Sequence, residues 1–166
     1  MEKKKYLQFE EHSGEYSKII SWWQGLREAK GERAELRRCR EVEEIFFVPV
    51  FHSIKRKLLP YGHVSDGRLA ITVALLSHVK NNLEGISLPE QMARPGAESS
   101  RPRVSDLRFR RLIQIKNIDD LLLPMLRIIK MLDSTVNVPN LVKSIYGWND
   151  YVRKQWAFDY YKDSKD

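Results

Sequence analysis

The sequence contains a single cysteine, Cys39, in 166 residues. No intramolecular disulfide can form, and no CxxC pair or Cys/His cluster has the ligand spacing of a zinc site. No apolar run approaches the roughly 18 residues a membrane span needs. Met1-Glu2-Lys3-Lys4-Lys5 leads into mixed polar residues rather than the apolar core of a secretory signal. The cytoplasm is the expected compartment, with no membrane partner. Common catalytic signatures are also missing: there is no P-loop, no GxGxxG, no GxSxG and no HExxH. The four histidines, His12, His52, His63 and His78, are scattered. His78 lies on an apolar stretch, where a satisfied core histidine is expected; His52 and His63 suit surface or capping roles. Asp119-Asp120 opens an apolar segment, where N-capping and the helix dipole account for both acids. Cys39 lies between Arg38 and Arg40, which would lower its thiol pKa. With no base committed to it, it is expected to be inert and half-buried. No catalytic residue, metal or cofactor is expected.

Forty-two per cent of the residues are hydrophobic, enough for a real core in one compact domain or two small lobes. Apolar residues recur at helical spacing almost throughout, and no strand-like alternation or internal repeat exceeds a few residues. Tyr16, Ile19, Ile20, Trp23 and Leu26 form one stripe. Residues 33–47 read as one or two short helices. Pro49 starts another, with Val50, Ile54 and Leu58 on one face, and Pro60 and Gly62 end it. Ser65 is placed to cap a segment, 66–80, that is apolar nearly all round and therefore belongs at the centre of a bundle. Between 81 and 102, Gly85, Pro89, Pro95-Gly96, Ser99-Ser100 and Pro102 break every periodicity, as in a long mobile connection. Helices are expected again at about 103–115, 119–132, 138–146 and 149–162, with Pro124 tolerable only in a first turn. The expected fold is all-α: an N-terminal helical lobe over 1–80, a flexible linker over 81–102 and a C-terminal lobe over 103–166.

The net charge is +7 and the pI about 9.5, which suit a polyanionic partner but also plain solubility. The distribution is more informative than the total. Between 101 and 130, eight basic side chains (Arg101, Arg103, Arg108, Arg110, Arg111, Lys116, Arg127, Lys130) face three acids. Arg33, Arg37, Arg38 and Arg40 form a second cluster. Lys55-Arg56-Lys57 is a third, explained by the dipole at a helix C-terminus. On a helix from Val104, Arg110 lies opposite the apolar arc, Arg111 at its edge and Arg108 within it. Arg108 must therefore be paired, snorkel outward or line a groove, which leaves a buried ion pair between helices on one reading and a guanidinium presented in a cleft to phosphate on the other. Arg127 and Lys130 share the narrow polar face of the next helix. Side by side, two such faces make a basic groove suited to a sugar-phosphate backbone. Arginine predominates, and its planar fork fits phosphate bidentately. Trp22, Trp23, Trp148 and Trp156 fall in helical stripes, as packing residues rather than base-stacking platforms.

Several segments resemble the CasB family, the small subunit of the type I-E CRISPR Cascade complex. They are Arg33-Ala34-Glu35-Leu36-Arg37-Arg38, Val48-Pro49-Val50-Phe51, Ala74-Leu75-Leu76-Ser77-His78-Val79 and Val104 to Ile113 (VSDLRFRRLI), followed by Leu126-Arg127, Trp148 to Trp156 and Tyr160-Tyr161. Each is weak alone, but they run in family order from about 20 to 161. Ser77 stands where the family often has alanine, and Pro124 in a helix that usually lacks proline. The resemblance implies a non-catalytic, two-lobed helical protein. Two copies would lie head to tail against the backbone subunits and guide RNA, near the large subunit, and hold the displaced non-target single-stranded DNA of the R-loop.

The candidate phosphate contacts are Arg33, Arg37, Arg38, Arg108, Arg110, Arg111, Arg127 and Lys130, with Arg103 and Lys143 as further candidates. The rival reading is an assembly protein whose basic patches dock acidic protein surfaces. A nuclease would need metal-binding carboxylates on one helical face, and none are evident.

Overall fold

The structure, a computed structural model, describes residues 5–163. The described residues form ten α-helices, two 3-10 turns and one pair of two-residue strands, so the fold is all-α, as expected.

The first half is punctuated by caps and prolines. The Ser13 side chain accepts from the Tyr16 N–H at 3.2 Å and opens α1 (Gly14–Gly25). The expected short helices are α2 (Lys30–Arg38) and α3 (Val42–Ile45). Pro49 occupies the first turn of α4 (Pro49–Leu58), where its missing N–H costs little. Lys55, Arg56 and Lys57 close α4 beside its exposed carbonyls. A 3-10 turn over Leu59–Tyr61 ends at Gly62.

Helix α5 (Asp66–Leu76) is the axis of the molecule. Every residue from Leu69 to Leu76 is buried, and α5 packs on α2, α3 and α4 from the first half. It also packs on the 3-10 turn Ile118–Leu121, α8 (Leu122–Met131) and α9 (Val138–Tyr146) from the second. The two buried polar side chains here bond to backbone, Thr72 Oγ1 to the Arg68 carbonyl at 2.8 Å and, just past the end of α5, Ser77 Oγ to that of Ala74 at 2.6 Å. Ser77 is therefore satisfied where an alanine would also fit. Ser65 stands at the N-cap position, but its side chain makes no capping bond. Its N–H instead donates to Tyr146 Oη at 2.9 Å, which ties α5 to α9. Arg68 reinforces that tie by donating to the Tyr146 and Trp148 carbonyls at 2.8 and 2.9 Å, where the end of α9 attracts a cation.

The segment expected as a mobile connection carries structure. Asn81–Asn82 (β1) pairs in parallel with Thr135–Val136 (β2). Helix α6 (Leu88–Ala93), with Pro89 in its first turn, buries Leu88 and Met92 and packs on α10 (Asp150–Tyr161). Ser87 caps it through the Glu90 N–H at 3.3 Å, and Gln91 Nε2 donates to the Thr135 carbonyl at 2.5 Å. The prolines that erase periodicity here mark helix starts and bridges, since Pro95 pairs with Pro102. Only 97–102 are exposed without interruption.

In the second half, Ser105 caps α7 (Asp106–Ile113). Pro124 is the third residue of α8, inside its first turn as required. Asp119 and Asp120 lie in the 3-10 turn before α8, where Asn117 supplies the side-chain cap. The tryptophans pack: Trp23 Nε1 donates to the Val79 carbonyl at 3.1 Å, and Trp148 Nε1 to that of Ile115 at 2.8 Å. Trp148 and Trp156 meet edge to face with centroids 5.0 Å apart. No helix of the described residues is long and apolar enough to cross a membrane.

Candidate nucleic-acid interface

Helix α8 places a short polar face between two basic neighbours. On one side Arg127 shares a hollow with Arg108 and Arg111 of α7. On the other, Arg127 and Lys130 share a hollow with Arg37 of α2, Arg40 just beyond it, and His78 at the end of α5. Arg127 belongs to both, so the two hollows form one continuous basic surface of Arg37, Arg40, Lys130, Arg127, Arg111 and Arg108. All six residues are exposed. No carboxylate of the described residues lies within ion-pair distance of any of them. Arg40 and Arg127 also border a hollow that holds Glu41, Glu43, Asp119 and Asp120, so the charged side chains are all basic only in the other two hollows, where a polyanion is favoured.

The Arg108 guanidinium makes no ion pair among the described residues. Its nearest polar contact is a weak one, Nη1 to the Met131 sulfur at 3.7 Å. Arg108 is exposed and lines the hollow, so among the described residues it is not in a buried salt bridge.

The other candidates are held elsewhere. Arg110 pairs with Asp106 at 3.0 Å, one helical turn away, and Asp106 also accepts from the Tyr161 hydroxyl. Burial, with that bond and the Asp106 charge, pushes the Tyr161 hydroxyl up to about 12. Arg103 pairs with Asp133 at 3.5 Å and Lys143 with Glu10 at 2.8 Å. Arg33 Nε donates to the Ser77 carbonyl at 3.4 Å, a cation at the C-terminal end of α5. Arg38 is exposed but lies outside both hollows. Arg40 was missing from the candidates. Its three-residue spacing from Arg37 was a readable signal, and its Nη1 donates back to the Arg37 carbonyl at 3.3 Å.

His78 is half-buried against this surface, and its Nε2 has no hydrogen-bond partner among the described residues, so it is not the satisfied core histidine expected. Burial first, then the charges of Arg37, Arg40 and Arg33, push its pKa down to about 4. The folded protein keeps the ring neutral, whereas the unfolded chain takes up a proton near pH 6.5. The stability linked to His78 is therefore fully present above pH 6.5 and is lost as pH falls toward 4. A His78→Leu variant should gain in melting temperature relative to the wild type as the buffer goes from pH 7 to pH 4.5. A difference that does not change with pH would show that His78 is not the titrating group. Cys39 is buried rather than half-buried, its Sγ lies 3.5 Å from the Glu35 carbonyl, and burial raises its pKa despite Arg40. His52 Nε2 lies 2.7 Å from the Phe46 carbonyl at the end of α3, the capping role expected of it.

The family model for CRISPR-associated protein Cse2 matches residues 32–161. The chain belongs to the Cse2 family. This is the CasB small-subunit family that the sequence segments resembled. The match spans the basic surface from Arg37 to Lys130 together with α10. Among solved structures, a chain of the E. coli Cascade complex bound to a PAM-containing double-stranded DNA target has the same fold. Its TM-score is 0.67 at 21% identity, over 85% of this chain and 92% of that one. No curated protein matches the sequence.

Proposed function

We propose that this chain is a non-catalytic subunit of a type I-E Cascade surveillance complex and that its surface across α2, α7 and α8 holds the displaced DNA strand. Family membership and the likeness to a Cascade chain support the complex. The observation that carries the strand-holding role is the row of six exposed cations without carboxylate partners. R-loop formation exchanges one duplex for another of similar stability, so modest contacts to a single strand can tip it. Arginines offered to phosphates supply such contacts without reading sequence. Phe47, Tyr151 and Phe158 are the most exposed of the chain's phenylalanines and tyrosines besides Tyr6, and suit docking to backbone or large subunits.

The test is fluorescence anisotropy of a labelled mixed-sequence single-stranded DNA against the purified chain at several salt concentrations. Affinity should fall linearly on a log–log plot, with a slope of about −0.7 for each phosphate neutralised. Absence of binding at low salt would turn the reading to assembly alone, with the basic patches docking acidic protein surfaces.

A further inference from the structure

The hollow between α7 and α8 is not lined as a phosphate track needs to be. Its volume is about 500 Å³, in the range of small-ligand sites. Three arginines, Arg108, Arg111 and Arg127, share it with an apolar wall that includes half-buried Ile115, Pro124 and Met131. Phosphates contact cations and water, so a groove that only follows a backbone gains nothing from such a wall. A flat apolar group does, and burying it there removes Ile115 and Met131 from water as well.

We propose that this hollow takes one unpaired base of single-stranded DNA, its face against the apolar wall and its flanking phosphates on the arginines. The proposal rests on the strand-holding reading and specifies how one nucleotide of that strand is seated. Charge selects the ligand class: all the charged side chains lining the hollow are arginines. Guanidinium planes also stack on base faces, and with Nη1 beside only a thioether sulfur, Arg108 is available to do so. The base must be unpaired, because in a duplex both of its faces are covered by neighbours. No side chain there offers a strong hydrogen-bond acceptor to a base edge, so the seat accepts any base.

Two labelled strands of equal length and phosphate number decide the matter, one of mixed sequence and one with abasic sugars throughout. The wild-type protein should bind the abasic strand about fivefold or more weakly, with an unchanged salt slope because the phosphates are the same. The double variant Ile115→Ser, Met131→Ser should weaken binding of the mixed strand and leave the abasic strand unaffected. The comparison of strands on the wild type stands even if that variant folds poorly. Equal affinity for the two strands would overturn the base seat and leave strand holding intact. Failure of both to bind at low salt would overturn strand holding, and the seat with it. Tighter binding of the equivalent RNA would overturn the assignment to DNA.

Discussion

Replacing Arg108, Arg111 and Arg127 together with alanine should lower affinity for single-stranded DNA about a hundredfold. Each removes a charge-assisted contact of about 1 kcal/mol or more. The log–log salt slope should become shallower by about 2, since three phosphate contacts are lost at about 0.7 each. Stability should change little, because all three side chains are exposed and none is paired to a carboxylate of the described residues. Lys143→Ala is the matched control, because that ammonium already pairs with Glu10 at 2.8 Å. It should leave DNA affinity within about twofold, as befits one exposed pair. A triple variant with wild-type affinity and salt slope would remove the α7–α8 surface as the DNA site.

Trp148→Ala should be among the most destabilising single changes, costing about 3–5 kcal/mol. Trp148 is 1% exposed and packs edge to face on Trp156, and its indole N–H donates to the Ile115 carbonyl. Truncation opens a cavity between α7, α9 and α10 and leaves that carbonyl without its partner. At roughly 2–4 °C per kcal/mol for a chain of this size, the melting temperature should fall by about 10 °C. A fall of only a degree or two would mean that neighbouring side chains collapse into the space, and that the residue is not a keystone of the second half.

Helix α5 was legible because Leu69 to Leu76 is apolar but for Thr72, which leaves no other place for it than the centre. The proline start of α4 was legible because proline restricts where a helix can begin, whereas α8 was expected from about 119 and begins at Leu122, after a 3-10 turn, which puts Pro124 in its first turn. The segment 81–102 was not, because α6 has only six residues and β1 only two, too few to establish a period. What holds them is distant: Asn140 Oδ1 accepts from the Leu88 N–H, and β1 pairs with β2 more than fifty residues on. Clustering of arginine identified the basic surface, and helical angle brought Arg108, Arg111, Arg127 and Lys130 onto it. Angle could not say which cations were neutralised. Arg103 and Lys143 meet acids at Asp133 and Glu10 that only the tertiary fold brings near. Cys39 shows the same limit, since its flanking arginines predict a lowered thiol pKa and burial reverses it.

The coverage of α5 has a consequence for synthesis on the ribosome. From Leu69 to Leu76 the helix is buried on every side, yet α8 and α9, which cover one flank, are made later. At about 5–20 residues per second, the interval between completion of α5 and of α9 is several seconds. During that time an oily rod waits for its lid, and the nascent chain is at its most vulnerable to aggregation. In the folded chain α5 is covered from both halves, so a chain that ends before α9 should leave one flank of α5 exposed.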